Sequence, residues 1–287
     1  MEILGRCFSC SPESLEAKRV DFSPRIWYNK FYKKIHRTVI ERCYMRKSEL
    51  EYKSGLALDL NLPDCGSFDL FVYFHGGGLV GGTKSDADAF APELALRGIA
   101  TASVRYRLYP EACYPDFIND CAEAVAFLLD VISDYGDCRR VFLGGSSAGG
   151  YISMMLCFDR RYLEAAGVDP SRIDGYIHDA GQPTAHFNVL KEHGVDPRRV
   201  IVDERAPMFY VGTEEDYPPM LFLVSDNDMF GRLEQTNLMV NALAHFGHTD
   251  KVALKVLVGK HCAHTKGLDA DGKSIFARIV GDYIQGL

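Results

Sequence analysis

Short continuous apolar runs alternate along this chain with longer stretches whose apolar positions recur at helical spacing. The apolar runs fall at 68–74, 99–105, 141–143, 173–180, 219–225 and 252–258. Between them, the spacing predicts helices over 86–97, 116–133, from Ala148 through Phe158, over 233–246 and over 274–284. Residues 51–62 alternate only weakly and read as antiparallel entry strands. The segment up to about Arg46 reads as polar helix, with Tyr28, Phe31, Tyr32, Ile35 and Val39 along one face. Strands that are apolar throughout, separated by helices, imply an α/β class: a mostly parallel sheet covered on both faces. Such sheets bind ligands beyond the carboxyl ends of their strands.

Two of those strand ends carry unusual residues. Val141-Phe142-Leu143 leads into Gly145-Ser146-Ser147-Ala148-Gly149-Gly150. A Gly-x-Ser-x-Gly turn between strand and helix lifts one serine hydroxyl out of the sheet, and its glycines let strand and helix approach closely. Only Ser147 is flanked by glycine on both sides at the required spacing, so Ser147 is the candidate nucleophile. Phe71-Val72-Tyr73-Phe74 ends in His75-Gly76-Gly77-Gly78. Consecutive glycines leave backbone N–H groups bare, and in acyl transfer such groups hold the negative oxygen of a tetrahedral intermediate. The expected donors are the N–H groups of Gly77, Gly78 and Ala148, the last at a helix N-terminus.

These two motifs, with Tyr106-Arg107-Leu108-Tyr109-Pro110-Glu111, Pro115 and Asp120 between them, resemble the hormone-sensitive-lipase-like branch of the α/β-hydrolases. Tyr109 stands where that family has alanine, and Ser146 where it has aspartate. The resemblance runs from about Phe68 to the C-terminus. It implies an α/β-hydrolase fold, a Ser-His-Asp triad, ester hydrolysis and no cofactor. By the same resemblance, 1–49 would be a small helical cap segment and 50–287 the catalytic domain, together one structural domain. The acid in such folds follows a late strand. Met220–Val224 runs into Ser225-Asp226-Asn227-Asp228, where Asp228 fits the spacing and Asp226 is the alternative. The base follows the last strand, in Gly259-Lys260-His261-Cys262-Ala263-His264. His261 is nearer the expected offset and is chosen, with His264 as its rival.

Composition narrows the setting. The chain has 287 residues, 47% of them hydrophobic, and a formal net charge of −7, which argues against nucleic acid or an anionic membrane as partner. Nine scattered cysteines, without framework spacing, read as reduced thiols in a cytoplasmic protein. The polar opening lacks the long apolar segment of a signal peptide. Cys7 and Cys10 form an isolated pair, and no metal site is expected. The expected partner is a small-molecule ester, with a homodimer left open. Without a long apolar lid, small or medium esters are expected, acetylated or hydroxycinnamoylated sugars among them. An amide or formamide hydrolase with the same triad, and a ligand-binding homologue that has lost turnover, are the alternatives.

Overall fold

The computed structural model describes residues 44–287. Eight strands form one sheet: β1 (Tyr44–Lys53), β2 (Leu56–Pro63), β3 (Ser67–Phe74), β4 (Ile99–Val104), β5 (Asp137–Ser146), β6 (Gly175–Asp179), β7 (Met220–Asn227) and β8 (Val252–Lys260). Their spatial order is β1-β2-β4-β3-β5-β6-β7-β8. β1, β2 and β4 pair antiparallel, and every pair from β4 through β8 is parallel. The chain steps from β3 out to β4, then returns across β3 to β5. The order therefore reverses between β3 and β5, and a doubly covered sheet has its crevice at such a switch point. The glycine loop follows β3 and Ser147 follows β5, so the topology alone sets them side by side.

The central strands β3 to β7 are largely buried because both faces of the sheet are covered there. Leu70, Val72, Phe74, Leu143 and Phe222 pack under the helices Asp116–Val131 and Ala148–Phe158. Phe71, Tyr73, Phe142, Ile177 and Leu223 pack on the other side with Phe90, Leu94 and Phe276. The last helix, Ile275–Gly286, covers that second face and is capped by the Ser274 hydroxyl, which accepts from the Ala277 N–H.

Two expectations are corrected. The helix read over 86–97 is a 3-10 turn, Lys84–Ala89, followed by a short helix, Ala91–Ala95. Pro92 is the cause: it is tolerated only in the first turn of a helix and disfavours helical backbone in the residue before it. The segment read as helical up to 49 is strand from Tyr44 onward. β1 is an edge strand with mostly exposed, charged residues, so it shows no apolar alternation to read. Instead, Arg46 reaches Asp59 at 2.7 Å and Asp88 at 2.8 Å, tying the edge to its neighbours. The rest of the expected cap, with Trp27, Tyr28, Phe31 and Tyr32, lies outside the described residues.

Two histidines are buried as neutral side chains. His178 sits between aromatic rings, its Nδ1 2.9 Å from the Ser153 hydroxyl, and burial lowers its pKa from 6.5 to about 3. Burial, helped by Arg232, brings His186 to about 3 as well. Unfolding frees both to bind protons at 6.5, so the unfolded state holds more protons than the folded one between these values, and stability rises with pH across that window. The urea midpoint should therefore be lower at about pH 5 than at about pH 7, and His178→Leu should narrow the difference. An unchanged midpoint would show that these rings are not held neutral.

Candidate active site

Ser147 closes β5 and precedes the helix Ala148–Phe158, with φ +56° and ψ −111°. A non-glycine residue in that region is strained, and the surroundings hold it there. Its N–H donates to the Asp179 carbonyl at 2.7 Å. The flanking glycines are required by contact: a Cβ on Gly149 would lie 1.9 Å from the Phe74 carbonyl oxygen, and one on Gly145 2.5 Å from it. The turn is thus pressed against the end of β3, where the glycine loop begins.

That loop turns sharply through Gly77 at φ +116° and Gly78 at φ +64°. The Gly77 carbonyl accepts from Val80 and Gly81. The N–H groups of Gly77, Gly78 and Ala148 donate to no backbone acceptor outside regular secondary structure among the described residues. The Tyr106-to-Glu111 block buttresses the loop from behind. Tyr106 donates its hydroxyl to the His75 carbonyl at 2.6 Å, and the Tyr109 N–H bonds Leu79. Arg107 is fixed by a two-pronged pair with buried Asp120, both bonds 2.8 Å. Such paired, charge-assisted bonds carry more energy and direction than single neutral ones. Tyr109, the departure from the family pattern, donates to Glu192 at 2.5 Å. Glu192 ends the helix Phe187–Glu192, whose Asn188 side chain donates to the Gly78 carbonyl at 2.5 Å. This helix belongs to an insertion between β6 and β7 that is rich in charged residues. Its contacts with the glycine loop have no local signature.

Asp228, His261 and Ser147 form a continuous hydrogen-bonded chain. His261 Nδ1 lies 2.5 Å from Asp228 Oδ1, and Nε2 lies 2.8 Å from Ser147 Oγ. The Asp228 side chain is 1% exposed and also accepts the N–H groups of Met229 at 2.7 Å and Ser225 at 3.2 Å. Burial pushes its carboxyl up, but the bond from His261 and these two backbone donors outweigh it, and it stays below the ordinary carboxylate range. Asp226, the alternative acid, instead accepts the Gly259 N–H at 2.9 Å. Its role is to fasten β7 to the start of the histidine loop.

His264, the alternative base, bonds Asp179 rather than Ser147. It is buried against Asp179, Nε2 to Oδ1 2.8 Å, with exposures of 6% and 0%. Burial works against its charged form, yet the Asp179 carboxylate overcomes this and raises its pKa. Cys262 carries the loop's turn at φ +51°, and its Sγ is 3.7 Å from His261 Nε2. Burial pushes that thiol well above its usual value, so it stays protonated.

A cavity of about 360 Å³ opens over Ser147, with Tyr73, Gly77, Phe187, Met229 and His261 in its walls. Among the described residues no three His, Cys, Asp or Glu side chains are grouped to hold a metal ion, and no helix is long and apolar enough to cross a membrane. A serine poised against an imidazole, itself held by an ionised carboxylate, is an arrangement able to form and release an acyl ester.

A family model described as alpha/beta hydrolase fold matches residues 71–177. An isoprenylcysteine alpha-carbonyl methylesterase of Arabidopsis thaliana is 31% identical over 113 residues, 38% of this chain and 26% of that protein. The match thus spans about a quarter of that relative's length. Among solved structures, esterase B from Lactobacillus rhamnosis superposes with a TM-score of 0.69 at 18% identity, covering 92% of this chain and 94% of that one. A truncated carbohydrate esterase from gut microbiota superposes at 0.67 and 17%, covering 85% and 96%. At those identities the likeness speaks for the fold. With its switch-point serine turn and glycine loop, its matched segment and its sheet order, the chain has the α/β-hydrolase fold.

Proposed function

We propose that the chain is a serine carboxylic-ester hydrolase for small or medium esters. The observation that carries this reading is the unbroken chain Asp228–His261–Ser147 beside a glycine loop with bare N–H groups. His261 Nε2 takes the Ser147 proton as Oγ attacks the ester carbonyl. Asp228 holds the imidazole with Nδ1 protonated and stabilises the cation that forms. The carbonyl oxygen becomes an oxyanion against the N–H groups of Gly77, Gly78 and Ala148, where the helix end also favours negative charge. His261 then protonates the leaving alcohol, and a water attacking the acyl-serine gives up its proton to the same nitrogen. Free acid and intact Ser147 result.

A cavity of about 360 Å³ suits a short acyl group better than a long chain. The methylesterase and carbohydrate-esterase names attach to the similar proteins, and acetylated or hydroxycinnamoylated sugars remain the proposed substrates within the ester class. The excess of acidic side chains supports a small-molecule rather than a nucleic-acid partner. The test is incubation with aryl esters of graded acyl length beside an aryl formamide, and labelling with an alkyl fluorophosphonate. Ester turnover that exceeds formamide turnover and declines with acyl length, with the adduct mass on Ser147, is the expected result. Faster formamide turnover would transfer the reading to amide bonds, and an adduct elsewhere would remove Ser147 from its role.

A further inference from the structure

We infer that the buried Asp179–His264 pair is a positioning device that sets the distance between nucleophile and base. The inference rests on the ester-hydrolase reading of the site. Asp179 ends β6 and is bonded twice, to two different loops. Its carbonyl accepts the Ser147 N–H at 2.7 Å, and its Oδ1 lies 2.8 Å from His264 Nε2. His264 stands three residues after His261, in the short 3-10 turn Ala263–Thr265. That turn is closed on itself: the Cys262 carbonyl accepts both the N–H of Thr265 at 3.1 Å and its hydroxyl at 2.5 Å. One aspartate therefore joins the serine turn after β5 to the histidine loop after β8, reaching across β7, which lies between β6 and β8.

Stability alone does not account for the pair. Its second oxygen, Asp179 Oδ2, is buried and has no hydrogen-bond partner among the described residues, and neither has the neighbouring Ser146 hydroxyl. A half-satisfied carboxylate in an apolar layer is costly, and replacing a buried ion pair with apolar side chains is often neutral or stabilising. The surrounding face, built from Tyr73, Ile177, Leu223 and Phe276, would accept such side chains. The bond instead falls where orientation matters, since displacing a reacting group by about 1 Å can cost on the order of 100-fold in rate.

The experiment compares the paired variant Asp179→Leu/His264→Leu with the wild-type chain on an aryl acetate, with unfolding midpoints measured alongside. The expected result is a folded protein whose kcat falls about 100-fold while KM stays within about two-fold. A folded paired variant with wild-type kcat overturns the inference. Should the pair not fold, His264→Gln, which can keep a donor to Asp179, is set against His264→Met, which cannot. Gln is expected to keep kcat within about five-fold and Met to lose on the order of 100-fold; equal kcat values overturn the inference. A wild-type chain without ester turnover would overturn the hydrolase reading and this one together. An active wild type with equally active variants overturns the positioning role alone.

Discussion

Ser147→Ala lowers kcat/KM toward an aryl acetate by at least about 10⁴-fold, His261→Ala lowers it by a similar factor, and the double variant is no slower than either single one. The non-additivity is the informative part. Ser147 Oγ and His261 Nε2 are 2.8 Å apart and act in one step, so either loss removes the whole nucleophile. What survives is binding and the glycine loop, which retain some acceleration over water. Ser147→Ala leaves the fold nearly unchanged: alanine meets the same backbone strain at φ +56°, and the N–H bond to Asp179 remains. Steady-state kinetics with thermal unfolding of all three variants checks this. Losses that multiply in the double variant would mean that the two side chains do not act as a unit.

The fold was legible because parallel, doubly covered strands are apolar throughout, and the runs at 68–74 and 219–225 mark β3 and β7 to within a few residues; the run at 252–258 marks β8, although that edge strand is largely exposed. The serine turn was legible for a steric reason. Gly145 and Gly149 meet the Phe74 carbonyl too closely for any side chain, and such glycines leave a local pattern. The resembled family's spacing also pointed to Asp228 and His261, with Asp226 and His264 as alternatives; the structure joins Asp228 and His261 by hydrogen bonds to one another and His261 to Ser147. Asp179 had no such signature. It ends a short apolar strand, and its partner His264 lies 85 residues away. Nothing local tells a buried histidine that pairs with a carboxylate from one that meets a hydroxyl. Asn188 and Glu192 were hidden likewise, since their partners Gly78 and Tyr109 are distant in sequence. β1 was misread because an exposed, charged edge strand has no apolar period. Contacts made through packing between remote loops are what a single sequence withholds.

Asp228→Ala is expected to lower kcat by about 10⁴-fold, whereas Asp226→Ala lowers it by less than about ten-fold. Both carboxylates belong to one loop, and their partners separate them. Asp228 Oδ1 receives His261 Nδ1 and the Met229 N–H together, and Oδ2 receives the Ser225 N–H. The carboxylate therefore cannot swing away, and the imidazole is held with Nε2 unprotonated toward Ser147. Without Asp228 the ring can rotate, the cation formed on attack has no counter-charge, and two backbone donors lose their acceptor. Of these, the part-buried Ser225 N–H left unpaired costs about 1–3 kcal/mol, so the comparison belongs at a temperature where the variant remains folded. Asp228→Asn divides the effect. An amide oxygen at the Oδ1 position still receives Met229 and His261, preserving the tautomer, while the amide nitrogen faces the Ser225 N–H and the charge is gone. It should recover about ten-fold over alanine and no more, because the lost charge is what stabilises the imidazolium. Asp226 contributes only a bond to the Gly259 N–H, a fastening that β7–β8 pairing on both sides of it can sustain. Equal damage from the two alanine variants would move the acid to Asp226 and require the histidine loop to rearrange before reaction.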